Sequence, residues 1–392
     1  REFPLEKGRQ TGRIPLAMKK RPLNILRLIT WLPVGGIERK ILAVLPRLNR
    51  DLFRVRLVCL RELGALAPEL EKAGVPVDLC PMRTRLSPSG LWNLAQYMKH
   101  HQIDLVHAHM YRAALPGTIA ARLAGVPVVV SQVHNVNSWD TARQRWQDRL
   151  LCHWRNAVVA VSECVRQDVL DTLHLPEEKV RVIYNGVDLA TFSNRSVRDR
   201  VRAELGFSPQ DIVVIYHGRL VPQKNPEFLV RIARDVTAPT GQTVKVLVVG
   251  DGSSRAAVEE AARSAGVTDR MSFLGRRDDV PDLLQAADLA VLPSFKEGFS
   301  NALVESLAAG LPTVATRVGG NAEAIETGQS GLIVPPHDDQ AALAALQSLV
   351  NAPEERLRMA QAARQRAERF SLDRMVADVE NLYLELAEKA GL

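Results

Sequence analysis

The fold is decided by residues 289–305, which read LAVLPSFKEGFSNALVE. The apolar run at 289–292 has the length of a buried parallel strand. A helix is predicted over 301–309, and Ser300 or Asn301 suits its N-cap position. A loop between such a strand and such a helix presents free amide groups and the positive end of the helix dipole, which favour a phosphate. The stretch therefore predicts an anion-binding loop in an α/β fold.

Two glutamates belong to this stretch, Glu297 in the loop and Glu305 about one turn into the helix. An ionised carboxylate can accept two hydrogen bonds from a vicinal diol. The pair can therefore hold different hydroxyl groups of one ligand. A helix start with a solvated glutamate is the alternative, and the order of strand, loop and helix argues against it.

Outward from this stretch, short apolar runs alternate with helical segments along both halves of the chain. Strands separated by helices of about ten to fifteen residues are typical of parallel, doubly wound sheets. The predicted fold class is therefore α/β, with two Rossmann-like doubly wound parallel-sheet domains. The predicted strands are 23–30, 53–60, 75–79, 105–107, 128–131, 158–162, 180–184, 212–218, 244–250, 271–274, 289–292, 313–315 and 331–334.

A polar stretch at 188–200 separates the two series of strands and is the predicted domain boundary. Four segments are expected: a leader-like or tag-like segment at 1–17, an N-terminal domain at 18–195, a C-terminal domain at 196–371, and a final helix at 372–392 that crosses back to the N-terminal domain. Met18 is the expected natural start.

The composition is that of a soluble globular protein, with 46% hydrophobic and 24% charged residues. No window approaches the roughly 18 apolar residues of a membrane-spanning helix. Four scattered cysteines without a Cys-x-x-Cys pair favour a reducing, cytoplasmic location and argue against a metal cluster.

Charge is unevenly distributed along the chain. Residues 19–205 carry 28 Lys and Arg against 17 Asp and Glu, whereas residues 206–392 carry 19 against 25. A basic first half suggests an anionic partner. A phosphorylated lipid or an anionic bilayer surface fits. Nucleic acid ranks last, because aromatic residues make up only 5% of the chain and no nucleic-acid motif is present.

Further candidates follow other predicted strands, where residues of a parallel sheet face the ligand crevice. Arg219 and Lys224 can converge on a diphosphate. A glycine turn at 35–36 permits positive φ and close approach to a phosphate. Alternation places His107 and His109 on one side of their strand, although that strand is expected to end before His109. The remaining candidates at strand ends are Gly218, Gly250, Arg276, His134 and Asn135.

The loop at 297–305 resembles the Glu-x7-Glu signature of the family 4 retaining glycosyltransferases, and the similarity covers residues 20–390. The resemblance implies a GT-B fold, in which two Rossmann-like domains face a central cleft. It implies that Glu305 binds the ribose of a nucleotide-sugar donor and that Glu297 holds hydroxyl groups of the transferred sugar. It assigns backbone contacts to sugar and phosphate to Phe299, Ser300 and Asn301.

The same resemblance assigns the remaining candidates. The diphosphate is expected to contact Gly36, Gly218, Arg219, Lys224 and Gly250, and the backbone around Arg276 is expected to recognise the base. A histidine equivalent to His109 lies near the donor sugar and the acceptor. The candidate catalytic residues are therefore His109, Glu297, Arg219 and Lys224, and the acceptor-side candidates are His134 and Asn135.

No metal ligands and no cofactor are predicted, since the sequence has no Asp-x-Asp triplet and no His/Cys cluster at metal-ligand spacing. Arg219, Lys224 and helix amide groups would replace a cation on the donor phosphates. No carboxylate nucleophile is evident opposite Glu297. This agrees with the retaining chemistry that the resemblance implies, in which the leaving phosphate takes the acceptor's proton.

Tryptophan and arginine are mixed at 83–101 and 139–155. Basic residues beside tryptophan at helical spacing can lie on an anionic membrane surface. Amphipathic helices that bury their tryptophans against the sheet are the alternative.

The predicted function is retaining transfer of a hexose or N-acetylhexosamine from a nucleotide sugar, with UDP favoured, to a glycan, glycolipid or lipid-linked acceptor in cell-envelope or exopolysaccharide biosynthesis. A peripheral position at the inner membrane face is expected. The alternatives are a nucleotide-sugar epimerase or phosphorylase, and a non-catalytic nucleotide-sugar-binding protein. The acid/base carboxylates or pyridoxal lysine of the former are not identifiable, and the complete set of donor-site candidates argues against the latter.

Overall fold

The computed structural model describes residues 21–33, 35–139 and 141–392. Within these ranges the chain forms two parallel sheets, which confirms the predicted α/β class. The predicted segment at 1–17 lies outside the described residues. The strands of the seven-stranded sheet are β1 Leu23–Ile29, β2 Phe53–Cys59, β3 Val77–Leu79, β4 Leu105–His109, β5 Val128–Val133, β6 Ala157–Ala160 and β7 Val180–Val182. Those of the six-stranded sheet are β8 Ile212–His217, β9 Val244–Val249, β10 Met271–Gly275, β11 Leu289–Leu292, β12 Thr313–Thr316 and β13 Gly331–Val334.

Helices cover both faces of each sheet, which is why the strands read as continuous apolar runs. Every residue of β5 and of β8 is buried. The helices are α1 Gly36–Val44, α2 Ala67–Lys72, α3 Pro88–His100, α4 Met110–Ala124, α5 Ala142–Cys152, α6 Glu163–Leu173, α7 Arg198–Glu204, α8 Phe228–Asp235, α9 Arg255–Ser264, α10 Val280–Ala286, α11 Asn301–Ala309, α12 Asn321–Ala324, α13 Asp339–Val350, α14 Pro353–Ala367 and α15 Leu372–Lys389. None of the described helices combines the length and apolarity needed to cross a bilayer.

The strand order reverses beside the first strand of each sheet. The orders are β3-β2-β1-β4-β5-β6-β7 and β10-β9-β8-β11-β12-β13. Ligands of doubly wound sheets bind at the carboxyl ends of the strands where the order reverses. Both switch points open onto one cavity of about 1560 Å³, which residues of both domains line.

Every strand begins and ends within two residues of its predicted bounds. Strand β4 runs to His109, beyond the predicted end, because it stays paired with β5 as far as the register His109↔Gln132. The Trp- and Arg-rich segment 139–155 contains α5, which begins at Ala142 because Thr141 caps it by accepting a hydrogen bond from the Gln144 amide at 3.2 Å.

The last helix, α15, packs against the first sheet. Tyr383 and Leu386 share a hydrophobic cluster with Ile25 of β1. The chain passes between the domains at two adjacent segments, where the Val187 amide donates to the Phe370 carbonyl (2.9 Å) and the Leu372 amide donates to the Val187 carbonyl (2.8 Å). The end of the chain therefore completes the core of the first domain.

Candidate active site

The loop between β11 and α11 holds a buried ion pair. The side chain of Glu297 is 8% exposed, and its Oε1 accepts hydrogen bonds from Ser294 Oγ (2.7 Å) and from Lys224 Nζ. Ser300 caps α11 by accepting from the Leu303 amide at 3.4 Å, as predicted. The first amide groups of a helix have no partner within it. This loop therefore brings a carboxylate, an ammonium group and a helix N-terminus to one wall of the cavity.

Glu305 lies one turn into α11 and also lines the cavity. Its Oε2 is 3.6 Å from Nδ1 of His217. Burial lowers the pKa of His217 to about 4, so the ring is neutral near pH 7 and the contact is not an ion pair. Burial raises the pKa of Glu305, and the positive charges of Lys40 and Arg39 from the first domain oppose this shift. Cations of one domain thus face a carboxylate of the other.

The ends of β8, β9 and β10 are tied together by backbone hydrogen bonds. The Gly218 amide donates to the Val249 carbonyl (2.9 Å), and the Gly250 amide donates to the Gly275 carbonyl (2.7 Å). Gly250 has φ 129°, and a Cβ there would lie 1.9 Å from the Gly218 carbonyl oxygen. Glycine is therefore required at 250 both for conformation and for space. Both glycines and Arg276 line the cavity.

The first-domain loop before α1 faces this wall. Asn301 Nδ2 donates to the Gly36 carbonyl at 3.2 Å. Neither glycine of this turn uses a positive φ: Gly35 is extended, with φ −147°, and Gly36 begins a right-handed helix. A Cβ at 35 would lie 2.3 Å from Glu38 Oε2, the end of a flexible side chain, so it would displace that carboxylate rather than the backbone.

Glu38 is a cavity residue that the sequence prediction missed. It is buried, and burial raises the pKa of its carboxyl group against the opposing charge of Arg219 from the second domain. An acidic residue in the first turn of α1 was the available signal. Arg219 itself lines the cavity, as does Lys224.

The loop between β11 and α11 touches the first domain directly. A Cβ on Gly298 would lie 2.1 Å from the His134 carbonyl oxygen. The Ser162 hydroxyl donates to the Gly298 carbonyl at 3.0 Å. The side chain of Phe299 packs on Phe370, with ring centroids 5.1 Å apart, so its role at the cavity is limited to its backbone.

Glu323, at α12, makes a second contact between the domains that the sequence did not predict. Its Oε2 accepts from the Glu163 amide (2.8 Å) and from the Tyr184 hydroxyl (2.9 Å), and its Oε1 accepts from the Cys164 amide (2.8 Å). A glutamate of the second domain thus satisfies the N-terminus of α6 in the first.

Three histidine rings form a stack, which confirms that His107 and His109 share one side of β4. The ring centroids of His107 and His109 are 5.0 Å apart with an interplanar angle of 3°, and His109 Nδ1 is 3.0 Å from His134 Nε2. Burial lowers the pKa of His134 to about 3 and those of the other two well below their ordinary value. His134 and Asn135 line the cavity, whereas His109 is 1% exposed and lies behind His134.

Of the tryptophans at 83–101 and 139–155, one is buried, as expected for an amphipathic helix packed on the sheet, and three are exposed, as expected for a membrane-facing surface. Trp139 is buried, and its Nε1 donates to Asp148 Oδ2 at 2.8 Å. Trp92, Trp146 and Trp154 are 60%, 64% and 49% exposed. Across residues 21–33, 35–139 and 141–392, no group of three or more His, Cys, Asp or Glu is placed to hold a metal ion.

Two family models match adjacent parts of the chain. "Glycosyltransferase Family 4" covers residues 34–191, and "Glycosyl transferases group 1" covers residues 197–366. The D-inositol 3-phosphate glycosyltransferase of Rhodococcus erythropolis is 31% identical over 330 residues, which span 77% of this chain and 71% of the relative.

Two further proteins are similar over most of their length. The UDP-Gal:alpha-D-GlcNAc-diphosphoundecaprenol alpha-1,3-galactosyltransferase of Escherichia coli is 28% identical over 80% of this chain and 84% of its own. The crystal structure of Anabaena HepE in complex with UDP has a TM-score of 0.84 at 24% identity, covering 93% of this chain and all of that one. The likeness to HepE is one of fold.

Proposed function

This chain belongs to glycosyltransferase family 4, and from that premise we propose that it transfers a hexose or N-acetylhexosamine from a UDP-linked donor with retention of anomeric configuration. Glycosyltransferase activity and the GT-B fold follow from the family. The donor, the acceptor, the stereochemistry and the roles of individual residues are our proposal.

The observation that carries the proposal is the convergence of the Lys224–Glu297 pair, Glu305 and the α11 N-terminus on one cavity wall. Glu297 would accept hydrogen bonds from sugar hydroxyls, and Glu305 from the ribose. Lys224 has three N–H donors, so it can serve Glu297 and a phosphate oxygen together. With Arg219 it would offset the charge that develops on the leaving diphosphate. Transfer without a divalent cation is part of the proposal.

The names of similar proteins support UDP as the nucleotide. HepE was solved in complex with UDP, and the Escherichia coli relative is named as a user of UDP-Gal. That relative's acceptor is lipid-linked, whereas the Rhodococcus relative acts on an inositol phosphate. We propose a glycan or lipid-linked acceptor that enters from the first-domain side, past His134 and Asn135, in cell-envelope or exopolysaccharide biosynthesis.

The test is transfer from a panel of UDP-sugars in the presence of EDTA, with the anomeric configuration of the product determined by NMR. Glu305→Ala should weaken UDP binding, whereas Glu354→Ala, at an exposed position on α14, should not. His109→Ala should lower turnover more than donor affinity. Wild-type behaviour of both Glu305→Ala and His109→Ala would show that the site assignment is wrong, and a requirement for a divalent ion would exclude the metal-free mechanism.

We also propose that α5 lies on the inner face of an anionic membrane. Trp146 and Leu150 are 64% and 51% exposed and stand one turn apart on this helix, among arginines. Trp146→Ser should reduce flotation with phosphatidylglycerol vesicles, whereas Leu357→Ser, equally exposed on α14 of the second domain, should not. Absence of flotation of the wild-type protein at low salt would contradict membrane docking and leave the transferase assignment intact.

A further inference from the structure

The first-domain end of the cavity carries two arginines without a carboxylate partner. Arg85, in the loop after β3, is half-buried, and Arg112 lies in the first turn of α4. Both line the cavity. Neither makes an ion pair with any other residue in the described parts of the chain. Two guanidinium groups therefore face the cavity without an ion-pair partner among the described residues.

Two described carboxylates of the cavity, Asp148 and Glu69, form no ion pair with Arg85 or Arg112. Asp148 is occupied, because Oδ1 accepts from Arg155 Nη2 (2.5 Å) and Oδ2 accepts from Trp139 Nε1. The side chains of this Arg–Asp pair are 1% and 3% exposed. Glu69, on α2, also lines the cavity, is exposed, and forms no ion pair among the described residues.

Arg85 is held in place rather than free at the surface. Its guanidinium carbon lies 5.4 Å from the centroid of the Tyr111 ring, within the range of a cation–π contact. The Tyr111 hydroxyl donates to Gln147 Oε1 at 2.8 Å, which fixes the ring. The guanidinium group of arginine carries five N–H donors in a planar fork that matches the oxygens of a phosphate, so one contact with Tyr111 leaves donors for a ligand.

We propose that Arg85 and Arg112 form a subsite for the phosphate or diphosphate of a phosphorylated acceptor. The subsite deepens the proposed function, since it assumes that the first-domain side of the cavity receives the acceptor. A polyprenyl diphosphate and a soluble sugar phosphate would present the same chemistry to the arginines. The site lies on the other domain from Arg219 and Lys224, so one anion can be bound there while the donor diphosphate occupies its own wall.

The test compares Arg85→Gln, Arg112→Gln and the double variant with Arg83→Gln. Arg83 is a matched control, because it is an exposed arginine of the same loop that does not line the cavity. Calorimetry measures binding of farnesyl diphosphate, farnesol and glucose 1-phosphate to the full chain, with and without UDP. Each single substitution should weaken the phosphate-bearing ligand about tenfold, a loss of about 1.4 kcal/mol. Arg83→Gln should stay at the wild-type value, and all variants should bind UDP as the wild type does.

The outcomes distinguish a lipid acceptor from a soluble one, and they distinguish failure of the subsite from failure of the proposed function. Arginine-dependent binding of farnesyl diphosphate assigns a lipid acceptor, and arginine-dependent binding of glucose 1-phosphate assigns a soluble one. Unchanged affinity of the double variant for both ligands, or equal affinity for farnesol and farnesyl diphosphate, overturns the subsite. Because the phosphate ligands are also measured without UDP, a failure to bind UDP counts against the proposed function alone.

Discussion

Adding one methyl group at Gly298 tests whether contact between the domains sets the position of the loop between β11 and α11. The new Cβ would lie 2.1 Å from the His134 carbonyl oxygen and 2.9 Å from the Asn135 Cα, whereas ordinary contacts begin at 3.4 Å. Both neighbours are backbone atoms, so no side-chain rotation relieves the overlap. Gly298→Ala must therefore move the loop, and Glu297 with it, by about 1 Å. A displacement of that size at a catalytic centre costs on the order of 100-fold in rate.

The assay is kcat/KM for sugar transfer, measured together with UDP affinity and thermal unfolding. We expect a loss of about 100-fold in kcat/KM with UDP affinity within about threefold, since Glu305 lies deeper in α11 than the displaced loop. Gly266→Ala is the control. A Cβ at 266 would meet no atom within 4 Å, but the φ of 67° at this position is strained for alanine. The control should lose stability and keep its rate. If Gly298→Ala kept its rate within threefold, the contact with His134 would not set the loop position.

Three further predictions concern the same wall of the cavity and its contacts. Lys224→Met leaves the buried Glu297 carboxylate without a cation and should lower the free energy of unfolding in urea by about 3 kcal/mol, and adding Glu297→Gln should restore part of the loss. Because the pKa of His217 is about 4 when folded and about 6.5 when unfolded, the unfolded chain binds the extra proton between these values. The contribution of His217 to stability should thus be complete above pH 6.5 and fall by roughly 1 kcal/mol per unit toward pH 4, and His217→Gln should make the total slope shallower by about that amount in urea titrations at several pH values. Glu323→Gln weakens the cap on α6 and should lower the unfolding free energy by about 1 kcal/mol, whereas Glu354→Gln should leave it unchanged.

Local chemistry predicted the parts of this molecule that depend on neighbours in sequence. The apolar run of β11 and the cap at Ser300 are local signals, and the structure has both where the sequence indicates. The same holds for the shared side of His107 and His109, which follows from the two-residue period of a strand.

The features that sequence did not predict depend on pairing across the chain. His109 remains in β4 because Gln132 of β5 lies opposite it, and that register is invisible in a polar His-Ala-His segment. Glu38 lines the cavity, where it interacts with the charge of Arg219 from the other domain, and no local pattern shows this pairing. In the sequence Gly298 is an ordinary loop glycine. Only the structure shows that the His134 carbonyl oxygen leaves no room for a side chain there.

The position of the last helix has a consequence for the folding of the chain during translation. Residues 372–389 are synthesised after the strands of both sheets, yet the Tyr383 hydroxyl lies in the core of the first sheet, where it accepts a hydrogen bond from Arg27 Nη1 and is 2.7 Å from His107 Nδ1. Since domains fold as units during translation, the first domain emerges with an apolar face open for the whole time that the second is being made. The second domain, whose core does not wait for α15, can fold first, and a nascent chain arrested before residue 372 should bind chaperones through the first domain.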